Sequence, residues 1–338
     1  MNITQILAQE LSATAAQITA TVAMLDEGAT VPFIARYRKE ATGGLDDTQL
    51  RTLAERLQYL RELEARKETV LKSIEEQGKL SDGLREQIEA CDNKTALEDL
   101  YLPYKPKRRT KAQIAREQGL QPLADVLLSE QPQNVEAAAA PFVKDDIADT
   151  KAALDGARAI LMEQFAEDAE LIGRLREKLW HEAEIHAQVM DGKENEGEKF
   201  KDYFDHREAV RTMPSHRALA VLRGRNEGVL SVSLKYQPDE TPITEQSDYE
   251  KIIAAHFALS DGHKWLRDTV RLTWRAKIFL SLELEALGRL KENADTDAIT
   301  VFARNLKDLL LAAPAGRLTT LGLDPGYRNG VKCAVVSD

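Results

Sequence analysis

The chain has 338 residues and a formal net charge of -10, with 30% charged and 6% aromatic side chains. Its length makes room for more than one hydrophobic core, and a composition rich in Leu and Ala suits a helical protein better than a β-sandwich. The acidic balance excludes a protein uniformly coated by nucleic acid but allows local basic patches, and no apolar run approaches the ~18 residues of a membrane span. The N-terminus has no signal-peptide pattern, so a cytoplasmic location and no membrane partner are expected. Cys91 and Cys333 sit in no metal-ligand spacing, which points to reduced thiols, no structural zinc and no cofactor.

Two helices open the chain, carrying Ile3, Ile6 and Leu7, then Ile18, Val22 and Leu25, with Gly28 ending the second. Pro32 starts a third in the segment Val31–Glu40, which Gly43-Gly44 stops. Arg36, Arg38 and Lys39 near its end read as solvated cations complementing the helix dipole. Asp46 with Gln49 then caps the longest periodic segment, in which Leu50, Leu53, Leu57, Leu60, Leu63, Val70 and Ile74 recur at three- and four-residue steps to about Glu76. At the helical rise this is a beam of ~45 Å. Arg56, Arg61, Glu62, Glu64, Arg66 and Lys67 between the leucines read as a solvated face with i,i+4 pairs. Another helix covers about Asp82 to Ala90.

The stretch Leu97–Ala112 joins the end of an amphipathic helix (Leu97, Leu100, Tyr101) to a turn stiffened by Pro103 and Pro106, and then to a basic run. Between Pro103 and Arg116 there are six Lys/Arg and no Asp/Glu, a local excess that stands out in an acidic chain. The prolines bias Leu102 and Lys105 toward extended backbone, so the turn presents cations to water at low entropic cost. Thr110 with Gln113 has capping-box spacing for a helix from about Lys111 to Gln118; Gly119 breaks it, and Pro122 opens a second helix with Leu123, Val126 and Leu127. A helix, a glycine turn and a helix beside a basic loop resemble a helix-turn-helix region, an arrangement many ordinary helical pairs share.

Glu136–Ala140 is a short helix before Pro141, and Thr150 to about Met190 is a second long helical region, interrupted near Asp168, with Leu171, Leu175 and Leu179 in a stripe. His181 and His186 lie five apart and read as surface or packing residues. The polar break Gly192–Gly197 is the first candidate boundary. A proline-started helix at 214–225 contains Arg217, and Val229–Tyr236 alternates as a strand with one buried face. Ser247 with Glu250 caps a helix carrying Ile252, Ile253 and Phe257. Leu266, Val270, Trp274 and Ile278 mark a helix to about Leu287, and a last helix has Ile299, Phe302, Leu306, Leu309 and Leu310 as core, ending at Pro314-Ala315-Gly316. From Leu318 the character changes: a strand to Asp324, a Pro325-Gly326 turn and a second strand from Gly330 to Val336. A carboxylate ending a buried strand before a glycine turn is how RNase H-like folds begin, where it would hold Mg²⁺; one carboxylate cannot form a two-metal site.

The basic stretch, Tyr203-Phe204-Asp205, the helix at Pro214–Leu219 and Leu323-Asp324-Pro325-Gly326-Tyr327-Arg328 occur in an order that resembles the Tex family of bacterial transcription accessory proteins, across the whole chain. The resemblance implies a mainly α fold: an elongated multi-helix scaffold with a helix-turn-helix region, one short β element and the first hairpin of a truncated RNase H-like α/β domain. It implies a Tex N-terminal-like helical domain over 1–195, a central helical domain over 196–316, and the start of a YqgF/RNase H-like domain over 317–338. The chain is then the N-terminal portion of a longer protein whose helix-hairpin-helix and OB-type domains are absent.

The function expected is a nucleic-acid-binding scaffold, without catalysis, contacting RNA or DNA phosphates irrespective of sequence through Lys105, Lys107, Arg108, Arg109 and Lys111, joined by Arg116 and Arg217. No metal ligand is assigned beyond Asp324 as a single candidate. Two alternatives stand beside this: a protein-binding helical module docking RNA polymerase or ribosome-associated proteins, and a RuvC-like Mg²⁺-dependent nuclease resting on Asp324 alone.

Overall fold

The computed structural model describes residues 2–106, 109–144, 146–238, 242, 245–260, 262–313, 316–326 and 330–337. The chain divides into two compact units, Met1–Lys178 with Asp239–Leu282 and Leu179–Pro238 with Glu283–Asp338. The positions 195/196 and 316/317, where the sequence changes character, both lie inside the second unit. The fold is mainly α, with short strands in small antiparallel sheets.

In the first unit, α1 (Ile3–Glu10), α2 (Ala15–Asp26) and α3 (Val31–Tyr37) pack on the N-terminal half of α4 (Asp47–Glu76). The Asp46/Gln49 capping box closes reciprocally, and all seven members of the apolar stripe are 5% exposed or less. The stripe serves two clusters in turn. Leu50 to Leu60 meet Leu7, Ile18 and Ile34, whereas Leu63, Val70 and Ile74 meet α5 (Asp82–Ala90) and α6 (Lys94–Tyr101).

The charged face of α4 differs from the expected pattern of local pairs. Arg56 reaches Glu10, Arg61 reaches Asp26, Arg66 reaches Glu98 and Glu62 accepts from Lys94, so these charges tie α4 to its neighbours. Lys67 is buried at 4% exposure; its Nζ donates to the Glu89 carbonyl at 2.9 Å and lies 3.1 Å from Glu64 Oε1. It occupies the stripe position between Leu63 and Val70, where the amphipathic pattern calls for an apolar side chain.

Next come α7 (Lys111–Glu117), α8 (Gln121–Ser129) and α9 (Val135–Ala139), all packed on α10 (Thr150–Ala166). Gly119 takes φ +78° between α7 and α8, a backbone region that glycine enters without steric cost. Gly156 in α10 sits so close to the α7–α8 junction that a Cβ there would collide with Leu120. α11 (Ala169–Glu182) ends earlier than the expected helix to Met190, because residues 184–189 form a strand. Arg176 of α11 holds Asp99 of α6 bidentately at 2.8 and 2.9 Å.

The second unit contains β1 (Glu184–Val189), β2 (Asp205–Ala209), α12 (Ser215–Asn226) and β3 (Leu230–Lys235). β1 is the central strand, pairing antiparallel with both others in the order β2-β1-β3. It supplies the partner that the alternating strand at 229–236 required. Ile185 and Ala187 are fully buried, and His186 Nε2 lies 3.2 Å from Asp205.

In the first unit again, α13 (Asp248–His256) packs on α14 (Lys264–Thr273). A π turn, Trp274–Ile278, follows, with Trp274 stacked on Tyr249 at 4.5 Å. α15 (Phe279–Leu310) continues without the break expected near Leu287, and from Glu283 onward it and the strands that follow belong to the second unit. Ile299, Phe302, Leu306, Leu309 and Leu310, expected in a core, are exposed. β4 (Thr320–Pro325) and β5 (Val331–Val336) form a two-stranded antiparallel hairpin. No helix among the described residues is long and apolar enough to cross a membrane.

Candidate nucleic-acid interface

The basic stretch is a corner held at three points. A 3-10 turn, Leu102–Tyr104, follows α6, and Lys105 N donates to the Tyr101 carbonyl at 3.0 Å. From α4, Ser73 Oγ and Tyr101 OH are 3.0 Å apart, and Gln77 Nε2 donates to the Tyr104 carbonyl at 2.8 Å. Lys105 is extended (φ -62°, ψ 127°) ahead of Pro106, as the ring requires. Leu102 is helical (φ -52°, ψ -41°) despite preceding Pro103, because the closed 3-10 turn outweighs the pre-proline bias.

At the far end of the corner, Thr110 Oγ1 accepts from Gln113 N at 3.0 Å and caps α7. The capping box is only half made, since the Gln113 side chain donates to Glu117 instead. The Thr110 hydroxyl also donates to Glu163 Oε1 at 3.0 Å, and Arg116 Nη1 donates to Glu163 Oε2 at 2.5 Å. Glu163 is a buried carboxylate whose two oxygens therefore pin the loop's return to α10. A charge-assisted bond of this type holds geometry more firmly than a neutral one.

The expected site residues fall into distinct settings. Lys105 and Lys111 are exposed, and no carboxylate lies within ion-pair distance of either among the described residues. Arg109 is also exposed, with Nε 3.0 Å from Glu117 Oε2, and this bond holds the Glu117 carboxyl below the usual carboxylate range. Lys107 and Arg108 lie outside the described residues. Arg116 is committed to Glu163 and to Gln121, so its guanidinium braces the corner. Arg217, in α12, donates to Glu208 at 2.6 Å, and Glu208 also meets His206 at 3.1 Å. Asp324 stands exposed on β4 opposite Lys332, and among the described residues no group of three His, Cys, Asp or Glu is placed to hold a metal ion.

A groove runs beside the corner. Among the described residues its walls bring three cations, Lys79, Lys105 and Arg116, against five carboxylates, Glu76, Asp125, Glu163, Glu167 and Asp168. Of these carboxylates Glu163 is already paired with Arg116, and the exposed side chains of Lys105, Arg109 and Lys111 form the outer rim of the corner. α8 has Asp125 and no Lys or Arg, which leaves the loop and the start of α7 as the cationic part of the helical pair.

The cations at the end of α3, legible in the sequence, are joined in the structure by two exposed rings. On α3, Phe33 and Tyr37 are 40% and 58% exposed, with ring centroids 5.4 Å apart and planes tilted by 47°. Arg36 Cζ lies 5.5 Å from the Tyr37 centroid, and Arg38 Cζ lies 5.3 Å from that of Phe33. The i,i+4 spacing of the two aromatics is visible in the sequence, but it predicts a packed pair equally well.

The chain matches the Tex central region-like family model over residues 130–302 and the Tex-like protein N-terminal domain over residues 1–75. It is 84% identical over 338 residues to transcriptional accessory protein Tex of Neisseria gonorrhoeae, covering 100% of the chain and 45% of that protein. It is 58% identical to protein YhgF of Escherichia coli K12, covering 98% of the chain and 44% of that protein. Human S1 RNA-binding domain-containing protein 1 is 29% identical over 94% of the chain and 33% of its own length. The chain thus spans less than half the length of these curated relatives.

Proposed function

The chain belongs to the Tex family, and on that premise we propose that it is a cytoplasmic nucleic-acid-binding scaffold of a transcription accessory protein, making sequence-independent phosphate contacts and breaking no bonds. The observation that carries this reading is the anchored corner, on which Lys105, Arg109 and Lys111 face solvent in a chain of formal net charge -10. Because the corner is fixed by Ser73, Gln77 and Glu163, its cations meet phosphates with little further loss of backbone freedom. In this reading Lys107 and Arg108 share the phosphate contacts, and Arg116 acts through Glu163 by positioning the loop. Arg217 exchanges Glu208 for a phosphate if it takes part. α7 and α8 are the helix-turn-helix region, and the β4–β5 hairpin is the first of a YqgF/RNase H-like domain. A human relative named for an S1 RNA-binding domain supports nucleic acid as the ligand class.

The test is binding of single- and double-stranded RNA and DNA across a salt series, for the wild type and for Lys105, Lys107, Arg108, Arg109 and Lys111 all changed to Glu. Loss of affinity together with a shallower salt slope supports the reading; an unchanged slope removes it. A second reading, docking of RNA polymerase or a ribosome-associated protein, is favoured by the exposed apolar face of α15, where Ile299, Phe302 and Leu309 are 68%, 67% and 73% exposed. It requires partner capture to survive the same charge reversal.

A further inference from the structure

We propose that Phe33 and Tyr37, with Arg36, Arg38 and Lys39, form a stacking platform for single-stranded nucleic acid, separate from the basic corner. The inference deepens the nucleic-acid reading, but it stands on a different element and fails separately. Large aromatic rings in water need a reason, since burying either would gain ~1.5–3 kcal/mol of transfer free energy. Ile34, between them in sequence, is fully buried against Leu50 and Leu53, so α3 is firmly docked and its outer face is a stable display. The segment 33–40 carries three cations and one carboxylate, Glu40, with no ion-pair partner for Arg36, Arg38 or Lys39 among the described residues.

Helix-dipole complementation accounts for a cation in the last turn. It does not account for two half-exposed rings each approached by a guanidinium. Rings offer π-faces to unpaired bases and cations offer partners to the phosphates between them, which is the chemistry by which single strands are held without reading sequence. A duplex keeps its bases stacked internally and could use only the cations. An acidic protein segment would likewise use the cations and leave the rings idle.

The two surfaces lie toward opposite ends of α4. Ile34 clusters with Leu50, Leu53 and Leu57, whereas the corner is bonded to Ser73 and Gln77. From Leu53 to Gln77 is 24 residues, roughly 36 Å at the helical rise. A stacked hexanucleotide spans ~20 Å at 3.4 Å per phosphate, so it occupies one surface at a time.

The experiment uses the 338-residue chain with the five corner cations changed to Glu, so that the α3 surface is read without the corner, and hexauridylate as the probe. Tyr37→Trp in that background is expected to keep the affinity and to show fluorescence quenching as a base stacks on the indole. Phe33→Ala with Tyr37→Ala is expected to weaken binding by about five-fold or more for each ring removed. Arg36, Arg38 and Lys39 changed to Gln should make the salt slope shallower by ~2, at ~0.7 per phosphate on a single strand. These side chains are on the surface, so their replacement leaves the fold intact, which circular dichroism checks. Absence of quenching overturns the platform, as does equal quenching by polyglutamate, which would make the surface a site for acidic protein. Neither outcome bears on the corner, whose own test is the charge reversal in the Tyr37-containing chain.

Discussion

If the corner binds phosphates as proposed, removing a carboxylate from this acidic protein, Glu117, should strengthen the hold on nucleic acid. Arg109 is the one described cation of the rim that already has an ion-pair partner, Glu117. When a phosphate binds, Arg109 must leave Glu117, so its contribution is an exchange of anions with little counterion release. On the proposed function, with Lys105, Lys107, Arg108 and Lys111 on phosphates, the corner's part of the salt slope is expected at about -2.8 to -3.6, where five contributing cations would give about -3.5 to -4.5. Glu117→Gln frees Arg109 and steepens the slope by ~0.7–0.9. Between 50 and 200 mM salt that is a differential of roughly three-fold between variant and wild type. Fluorescence anisotropy with labelled RNA over that salt range is the assay, and Glu117→Gln combined with Arg109→Gln should return the slope to the wild-type value. An unaltered slope in Glu117→Gln, or a steeper one that persists after Arg109 is removed, would refute the assignment of Arg109 to phosphate.

Gly156→Ala should destabilise the first unit by ~1 kcal/mol, although replacing glycine inside a helix ordinarily gains ~0.5–1, because the new methyl collides with Leu120 and stands 3.3 Å from Ala115 Cβ. Urea unfolding measures it, and faster amide exchange in α7 should accompany it. The Arg66 guanidinium holds the Glu98 carboxyl below its ordinary 4.5, so the pair stabilises the fold above that pH and its contribution is lost as pH falls through the lower native value. Glu98→Gln should therefore be less stable than wild type at pH 7, with the gap closing below about pH 4.5 in parallel urea titrations. The full-length protein should release no nucleotides from RNA or DNA with Mg²⁺, and Asp324→Asn should change nothing; Mg²⁺-dependent cleavage abolished by that substitution would establish the nuclease alternative.

Local rules read well along this chain wherever one helix makes its own argument. The α4 stripe, its Asp46 cap and the Pro-started helices α3, α8 and α12 follow from spacing and end signals in the sequence. Pairing across distance does not: Glu184–Val189 looks like the tail of a helix until residues 205–209 and 230–235 supply strands on both sides. The corner is legible as an excess of charge between prolines, yet which cations are spoken for depends on Glu117 and Glu163, and Glu163 is 47 residues from Arg116. The aromatic pair on α3 shows the same limit, since spacing fixes which residues are neighbours but not whether another helix covers them.

Lys67 also decides how α4 can be assembled. Leucines on a long helix tolerate many alignments, because one apolar contact replaces another at small loss. An ammonium in that row does not, since it must end on an oxygen, and the Glu89 carbonyl at the close of α5 is in reach at one alignment. Slipping α5 by a single turn, about 5.4 Å, would carry the carbonyl out of reach and leave the buried ammonium with Glu64 as its one remaining partner among those described. The beam and its neighbours are thereby locked in phase, and the corner that α6 feeds inherits its position from that lock.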